Sequence, residues 1–287
     1  MTQPTLAVIG GSGLYELASL ENTKEHRVAT PFGEPSEAIV EGQLGETRLL
    51  FLSRHGRGHR LLPSEVNARA NIFALKSLGA TAVLSVSAVG SMREDIAPGD
   101  MVVVSQFIDR TKGRASTFFG SGIVGHVMFA DPVCPHLSNA AHEACRALGL
   151  RVHAGKTLMV MEGPAFSTRA ESLLHRAMGV DLIGMTAMPE AKLAREAELC
   201  YATLALATDY DCWHETEEDV SVDAVVKILK QNAHSARRIV ETLAKAIPTL
   251  PRDCPCPCAL DFAIITDRSV LPAQRAASLR PIFGRVL

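Results

Sequence analysis

Two aspartates one residue apart, Asp209 and Asp211, stand just after the largely apolar run from Cys200 to Ala207. A run of that length bounded by polar residues reads as a buried strand, so both carboxylates fall at its C-terminal end. In α/β sheets ligands bind outside that edge. A carboxylate pair there can accept a hydrogen bond from an amino group and hold a proton for a leaving nitrogen. Alone, Asp-x-Asp reads more readily as a polar turn after a strand. Other phrases in the chain reverse that reading.

Four more strand ends carry polar groups. Gly10-Gly11-Ser12-Gly13 offers backbone N–H groups and the Ser12 hydroxyl, a common anion cradle after a first strand. It is not a P-loop, since no Gly-Lys-Ser/Thr follows, and the third glycine of a dinucleotide fingerprint would fall at Glu16. Arg54-His55-Gly56 places a guanidinium that forks onto phosphate beside a second donor, His55, although an ordinary surface Arg–His pair has the same appearance. Ser87-Ala88-Val89-Gly90-Ser91 is a small, hydroxyl-bearing turn, and Thr186 follows Met185 just ahead of a helix that opens at Pro189. Together these ends form a phosphate-sized donor cup with the two carboxylates on its far side. That arrangement suits attack of phosphate on a sugar C1′ as a purine leaves, through an oxocarbenium-like transition state. The chemistry needs no metal. The histidines lack zinc-type spacing, and no Gly-x-Ser-x-Gly marks a hydrolase nucleophile.

Alternating strand and helix patterns position these ends. Apolar strands are expected at Leu6–Ile9, Arg48–Ser53, Ala82–Ser87, Met101–Val104, Lys156–Met161 and Val180–Met185. Helices are expected at Val66–Leu78, near 137–148, from about Thr168, from Pro189, and from an N-cap at Ser221 to about Ala246. The alternation means an α/β fold, helices covering a mostly parallel or mixed sheet. From Pro248 the character changes to Cys254-Pro255-Cys256-Pro257-Cys258, then an apolar run and a basic, apolar end that reads as a terminal helix. We therefore divide the chain into a body, 1–248, and a C-terminal arm, 249–287, packing on the body or on a neighbouring subunit.

Composition bounds the function. The 287 residues are 47% hydrophobic, enough for a large core, and the formal net charge of -2 without a basic block argues against nucleic acid. No secretory leader and no stretch of membrane-spanning length is evident. Seven scattered cysteines suit a reducing cytoplasm, and the three in the tail read as an exposed loop without function.

From Leu6 to Ala246 the chain resembles the trimeric purine nucleoside phosphorylases, and among them the 5′-methylthioadenosine phosphorylases. The resemblance rests on Gly10-Gly11-Ser12-Gly13-Leu14, Thr30-Pro31-Phe32-Gly33, Arg54-His55-Gly56-Arg57, Gln106 to Thr111, Glu162 to Ser167 and Ala207 to Trp213. It implies a single-domain central mixed, twisted, partly barrel-like sheet flanked by helices. It also implies a salvage enzyme converting methylthioadenosine and phosphate, its co-substrate, to adenine and 5-methylthioribose 1-phosphate. Phosphate contacts would come from Ser12, Arg54, His55, Ser87, Ala88 and Thr186. The Met185 backbone would meet the ribose, Phe166 and Ser167 the nucleoside, Asp209 N7 and Asp211 the 6-amino group. Val222, Val225 and Val226 would line the alkylthio pocket, though their helical spacing fits plain core as well. His126 would reach a neighbour's site in a homotrimer. A 6-oxopurine relative, a nucleoside-binding protein and a water-using hydrolase are the rival readings. The aspartate pair and the number of phosphate donors argue against them.

Overall fold

A computed structural model describes residues 4–11, 19–215 and 220–287, with only the backbone described at 224, 227 and 229–231. Nine strands are described: β1 (Thr5–Gly10), β2 (Glu21–His26), β3 (Ile39–Leu44), β4 (Thr47–Ser53), β5 (Ala82–Ser91), β6 (Met101–Arg110), β7 (Val152–Met161), β8 (Leu182–Gly184) and β9 (Cys200–Asp209). They hydrogen-bond in the order β2-β3-β4-β1-β5-β8-β7-β6-β9, and β9 returns to pair with β5. The last five strands of that order therefore close into a barrel, and the first four extend from β5 as an open wing. Closure buries β9 on both sides, which is why its sequence is continuously apolar rather than alternating.

Alternate residues of these strands feed two cores. Ala7, Ile9, Tyr201 and Ala205 face one, with α1 (Ala68–Ser77) and α4 (Ala187–Glu196) packed over them. Leu6, Val8, Ala202 and Leu204 face the other, under α2 (Pro135–Ala147) and α5 (Val222–Ala246). The remaining long helix, α3 (Arg169–Ala177), opens on a capping box from Thr168 to Glu171.

The sequence reading missed two strands. β2, Glu-Asn-Thr-Lys-Glu-His, is an exposed edge strand with no apolar face to announce it. Its partner β3 contains Gly42 and pairs with β4 in a hairpin closed at Gly45, whose φ of +57° lies in the left-handed region that glycine tolerates.

The tail differs from expectation in two ways. Its end forms two short helices, α6 (Ala273–Ser278) and α7 (Arg280–Phe283), instead of one, because Pro281 and Leu279 mark a second start. Leu260, Leu279, Ile282 and Phe283 enter the same core as β1 and α1. The expectation of an exposed cysteine loop is also corrected. Cys254 and Cys256 are buried and only Cys258 is exposed, since the prolines fold the segment inward onto the starts of α2 and β9. No helix of the described residues is long and apolar enough to cross a membrane.

Candidate active site

The polar strand ends meet at two levels along β5. β1 and β4 stop at Gly10 and Ser53, one residue beyond the level of Ser85 of β5, which is opposite Ile9. β5 continues into the barrel, paired with β9 as far as Gly90 opposite Asp209. β8 approaches antiparallel to β5 and is only three residues long. Its end turns back beside the middle of β5, where a Cβ built on Gly184 would lie 3.2 Å from the Val89 side chain and 3.8 Å from the Ala88 carbonyl oxygen. Arg54, His55, Ser87, Ala88, Met185 and Thr186 therefore surround the lower level, and Asp209 and Asp211 the upper. Three strand steps separate Ser87 from Gly90, a rise of about 10 Å and roughly the length of a ribosyl purine. Ser12 lies outside the described residues.

Arg54 is not an open fork. It is 2% exposed. Its Nε donates to Glu190 Oε2 at 2.9 Å, and its two terminal nitrogens donate to Ser85 Oγ, the Ile9 and Val86 carbonyls, and Glu190 Oε1. Glu190 also accepts from the Tyr201 hydroxyl at 3.1 Å. A guanidinium carries five N–H groups, and among the described residues the nitrogen bonded to Val86 has one without a partner. Arg54 thus underlies the cup, its charge paired with Glu190 and one donor left over.

His55 differs from expectation too. Its Nδ1 lies 2.9 Å from the Leu61 carbonyl oxygen, which only accepts, so Nδ1 carries the hydrogen. Burial first, then the Arg54 charge, push its pKa down to about 4. The neutral ring therefore offers Nε2 as an acceptor rather than the expected donor. Ser87 Oγ is buried with no hydrogen-bond partner among the described residues. Thr186 occupies the N-cap of α4, yet its hydroxyl makes no cap bond, and non-helical Met188 defers the regular helix to Pro189. Neither hydroxyl is thus taken up by its own strand or helix end.

At the upper level Asp209 Oδ2 accepts from the Thr208 hydroxyl at 2.7 Å, and Oδ1 from the Asp211 amide at 2.8 Å. Burial raises the Asp209 pKa, the Asp211 charge adds to that, and the two hydrogen bonds work against it. Asp211 has a left-handed backbone (φ +53°), is 4% exposed, and leaves Oδ2 buried without a partner among the described residues. Gly90 makes room for both, because an added Cβ would sit 2.9 Å from Asp209 Oδ1 and 3.5 Å from Asp211 Cβ. A carboxyl whose protonated form burial favours, beside a buried acceptor, matches the face of a 6-aminopurine, which offers an acceptor at N7 and a donor at N6.

Residues 5–245 match the family model of the phosphorylase superfamily. S-methyl-5′-thioadenosine phosphorylase of Geobacter sulfurreducens is 56% identical over 283 residues, 98% of this chain and 99% of that one. The enzyme of that name from Chloroflexus aurantiacus is 53% identical, covering 99% of each chain. The chain belongs to the S-methyl-5′-thioadenosine phosphorylases. Among solved structures, a methylthioadenosine phosphorylase from an Antarctic soil metagenomic library superposes with a TM-score of 0.92 at 47% identity, over 96% of this chain and 98% of that one. The Schistosoma mansoni methylthioadenosine phosphorylase in complex with adenine gives 0.82 at 39% identity, over 86% of this chain and 93% of that one.

The other expected residues of this phosphorylase occupy distinct positions. The Met185 carbonyl is taken by Arg114, whose guanidinium also binds the Met188 carbonyl and both the carboxylate and carbonyl of Glu162. Arg114 ties the end of β7 to the end of β8 and was not anticipated, since it lies in a loop with no periodic signal. Thr208, Glu190 and Tyr201 were missed because each reads as a local helix or strand residue. Phe166 is half-exposed in the loop after β7, and the Ser167 carbonyl accepts from the Cys212 thiol at 3.4 Å. Val222 and Val226, on the first turns of α5, are exposed and Val225 is half-buried, so plain core does not account for them. The Val220 amide donates to the Asp211 carbonyl and sets the approach of α5 to the carboxylates. His126 is exposed on a loop fastened to the C-terminal arm, its amide bonded to the Ala263 carbonyl at 2.9 Å, and it joins neither level of the cup.

Proposed function

We propose that the protein catalyses phosphorolysis of 5′-methylthioadenosine, giving adenine and 5-methylthioribose 1-phosphate. The observation that carries this reading is the buried, unpartnered Asp211 Oδ2 beside Asp209, set about 10 Å along β5 from the unpartnered Ser87 hydroxyl. Ser87, Thr186, the Ala88 backbone, the remaining Arg54 N–H and Ser12 are assigned to phosphate. Neutral His55 accepts the P–OH of hydrogen phosphate through Nε2, which steers an unprotonated oxygen toward C1′. As that oxygen bonds to C1′, the C1′–N9 bond breaks with its electron pair moving into the purine. Asp209 gives its proton to N7, and Asp211 accepts from the 6-amino group.

The Met185 backbone is assigned to the ribose, and Phe166 and Ser167 to the nucleoside. The exposed apolar start of α5, with Val222, Val225 and Val226, is assigned to the alkylthio group. The assembly is read as a cytoplasmic homotrimer in which His126 reaches a neighbour's site. That reading is supported by the apolar surface beside His126, where Val124, Met128, Phe262 and Ile265 are all exposed. Adenine release from methylthioadenosine, followed before and after phosphate is added, tests the reaction. Release that requires phosphate is expected, and equal release in both conditions would overturn the phosphorylase reading.

A further inference from the structure

The reaction assigns no role to cysteine, yet four of the seven meet at the far end of β9 from Asp209. The sulfur atoms of Cys134, Cys200, Cys254 and Cys256 all lie within 4.8 Å of one another, and Cys200 Sγ is 3.5 Å from Cys254 Sγ. Four thiolates about 2.3 Å from a tetrahedral zinc ion stand about 3.8 Å apart. We propose that these cysteines form a structural tetrathiolate site for Zn²⁺ that fastens the C-terminal arm to the body.

Each ligand is positioned by its own element. Cys134 is the N-cap residue of α2, followed by Pro135 at the first helical position, and its side chain makes no cap bond. A thiolate there faces the positive end of a helix. Its amide donates to the Tyr201 carbonyl at 2.7 Å, which brings it alongside Cys200 at the start of β9. Cys254 and Cys256 flank Pro255, whose φ of -72° and ψ of -5° begin a tight turn. His136 Nε2 and Asp253 Oδ1, 2.6 Å apart, hold that turn against α2. Binding would displace four thiol protons to solvent and form four zinc–sulfur bonds, leaving a net charge of about -2 on the centre. Lys76, Glu198, Arg252 and Arg285 line the cavity beside Cys200 and Cys254; Arg285 is paired with Glu198 and Asp261, so Lys76 and Arg252 are the charges there that offset it.

The site joins three distant stretches of chain, so its effect is expected on stability. Nine strand steps, about 30 Å, separate Cys200 from Asp209, too far for a direct effect on the reaction. The sequence reading expected no metal; this centre would lie at the other end of the barrel from the carboxylates.

Metal content settles the proposal independently of the enzymatic reading. Full-length protein grown with zinc and purified anaerobically without chelator should carry one zinc per chain, released when a mercurial titrates the thiols. Exchange with Co²⁺ should give intense thiolate-to-cobalt charge transfer and the visible bands of tetrahedral cobalt. The double variant Cys254→Ser/Cys256→Ser should lose the metal and melt at a lower temperature, with adenine release per folded chain unchanged, whereas Cys258→Ser should keep it. Wild-type protein without zinc and without the cobalt–thiolate bands would overturn the proposal. So would mass spectrometry finding the four cysteines joined in pairs, each pair two hydrogens lighter.

Discussion

Side by side, Asp209 and Asp211 differ in what surrounds them. Asp209 has both oxygens engaged by Thr208 and the Asp211 amide, and burial favours its protonated form. Asp211 keeps a buried oxygen without a partner. One is therefore suited to give a proton and the other to accept a hydrogen bond. Asp209→Asn preserves size and a donor but removes the transferable proton. We expect kcat on methylthioadenosine to fall by about 100-fold or more, with some relative gain on methylthioinosine. Steady-state rates on the two nucleosides check this, and a wild-type rate on methylthioadenosine would remove the general-acid role. The pair was legible in the sequence because it follows an apolar strand directly. The closure of Arg54 on Glu190 was not, since 136 positions separate them and only the packing of α4 over the sheet joins them.

At the scale of elements, β5 holds both levels of the site and α4 closes its base. The C-terminal end of α4 is fastened by Glu196, which accepts from the Phe118 amide and the Thr117 hydroxyl. Burial outweighs those bonds and pushes the Glu196 pKa up to about 7. An unfolded chain would release this proton near pH 4.5, so between about 4.5 and 7 the folded state binds more protons. Stability is therefore fully present below that window and falls as pH rises through it, by at most about 3 kcal/mol. Glu196→Gln retains an acceptor for the amide and a donor for the hydroxyl but does not titrate. Its melting temperature is expected to decline less than wild type between pH 5 and 7, and parallel curves would count against this role. The ends of β5, β9 and α4 could be read from period and proline placement. β2 and β3 could not, because an exposed edge strand has no buried face to pattern it.

For the whole molecule, the C-terminal arm links several functions. It contributes Leu279, Ile282 and Phe283 to the main core, holds the 120s loop through Gly125–Ile264, and brings Cys254 and Cys256 to the body. It also presents Phe262, 97% exposed, next to Ile265 and Val124. Apolar surface of that kind is ordinarily covered by another subunit. Light scattering is expected to give about three times the 30.8 kDa chain mass. Phe262→Asp should shift the distribution toward smaller species. A wild-type protein that is monomeric and fully active would refute the shared site.

The sequence by itself determined the class of the fold, the strand that delivers the carboxylates, and the polar turns at the strand ends. These follow from local period and from side-chain chemistry a few residues apart. Tertiary structure decided which groups remain available. It closed Arg54 on Glu190, turned His55 into an acceptor through the Leu61 carbonyl, and left Ser87 and Asp211 unsatisfied. It also gathered Cys134, Cys200, Cys254 and Cys256 from segments that carry no common pattern. Hydrogen-bond satisfaction and desolvation depend on neighbours distant along the chain, and only barrel closure and the folding back of the arm bring those neighbours together.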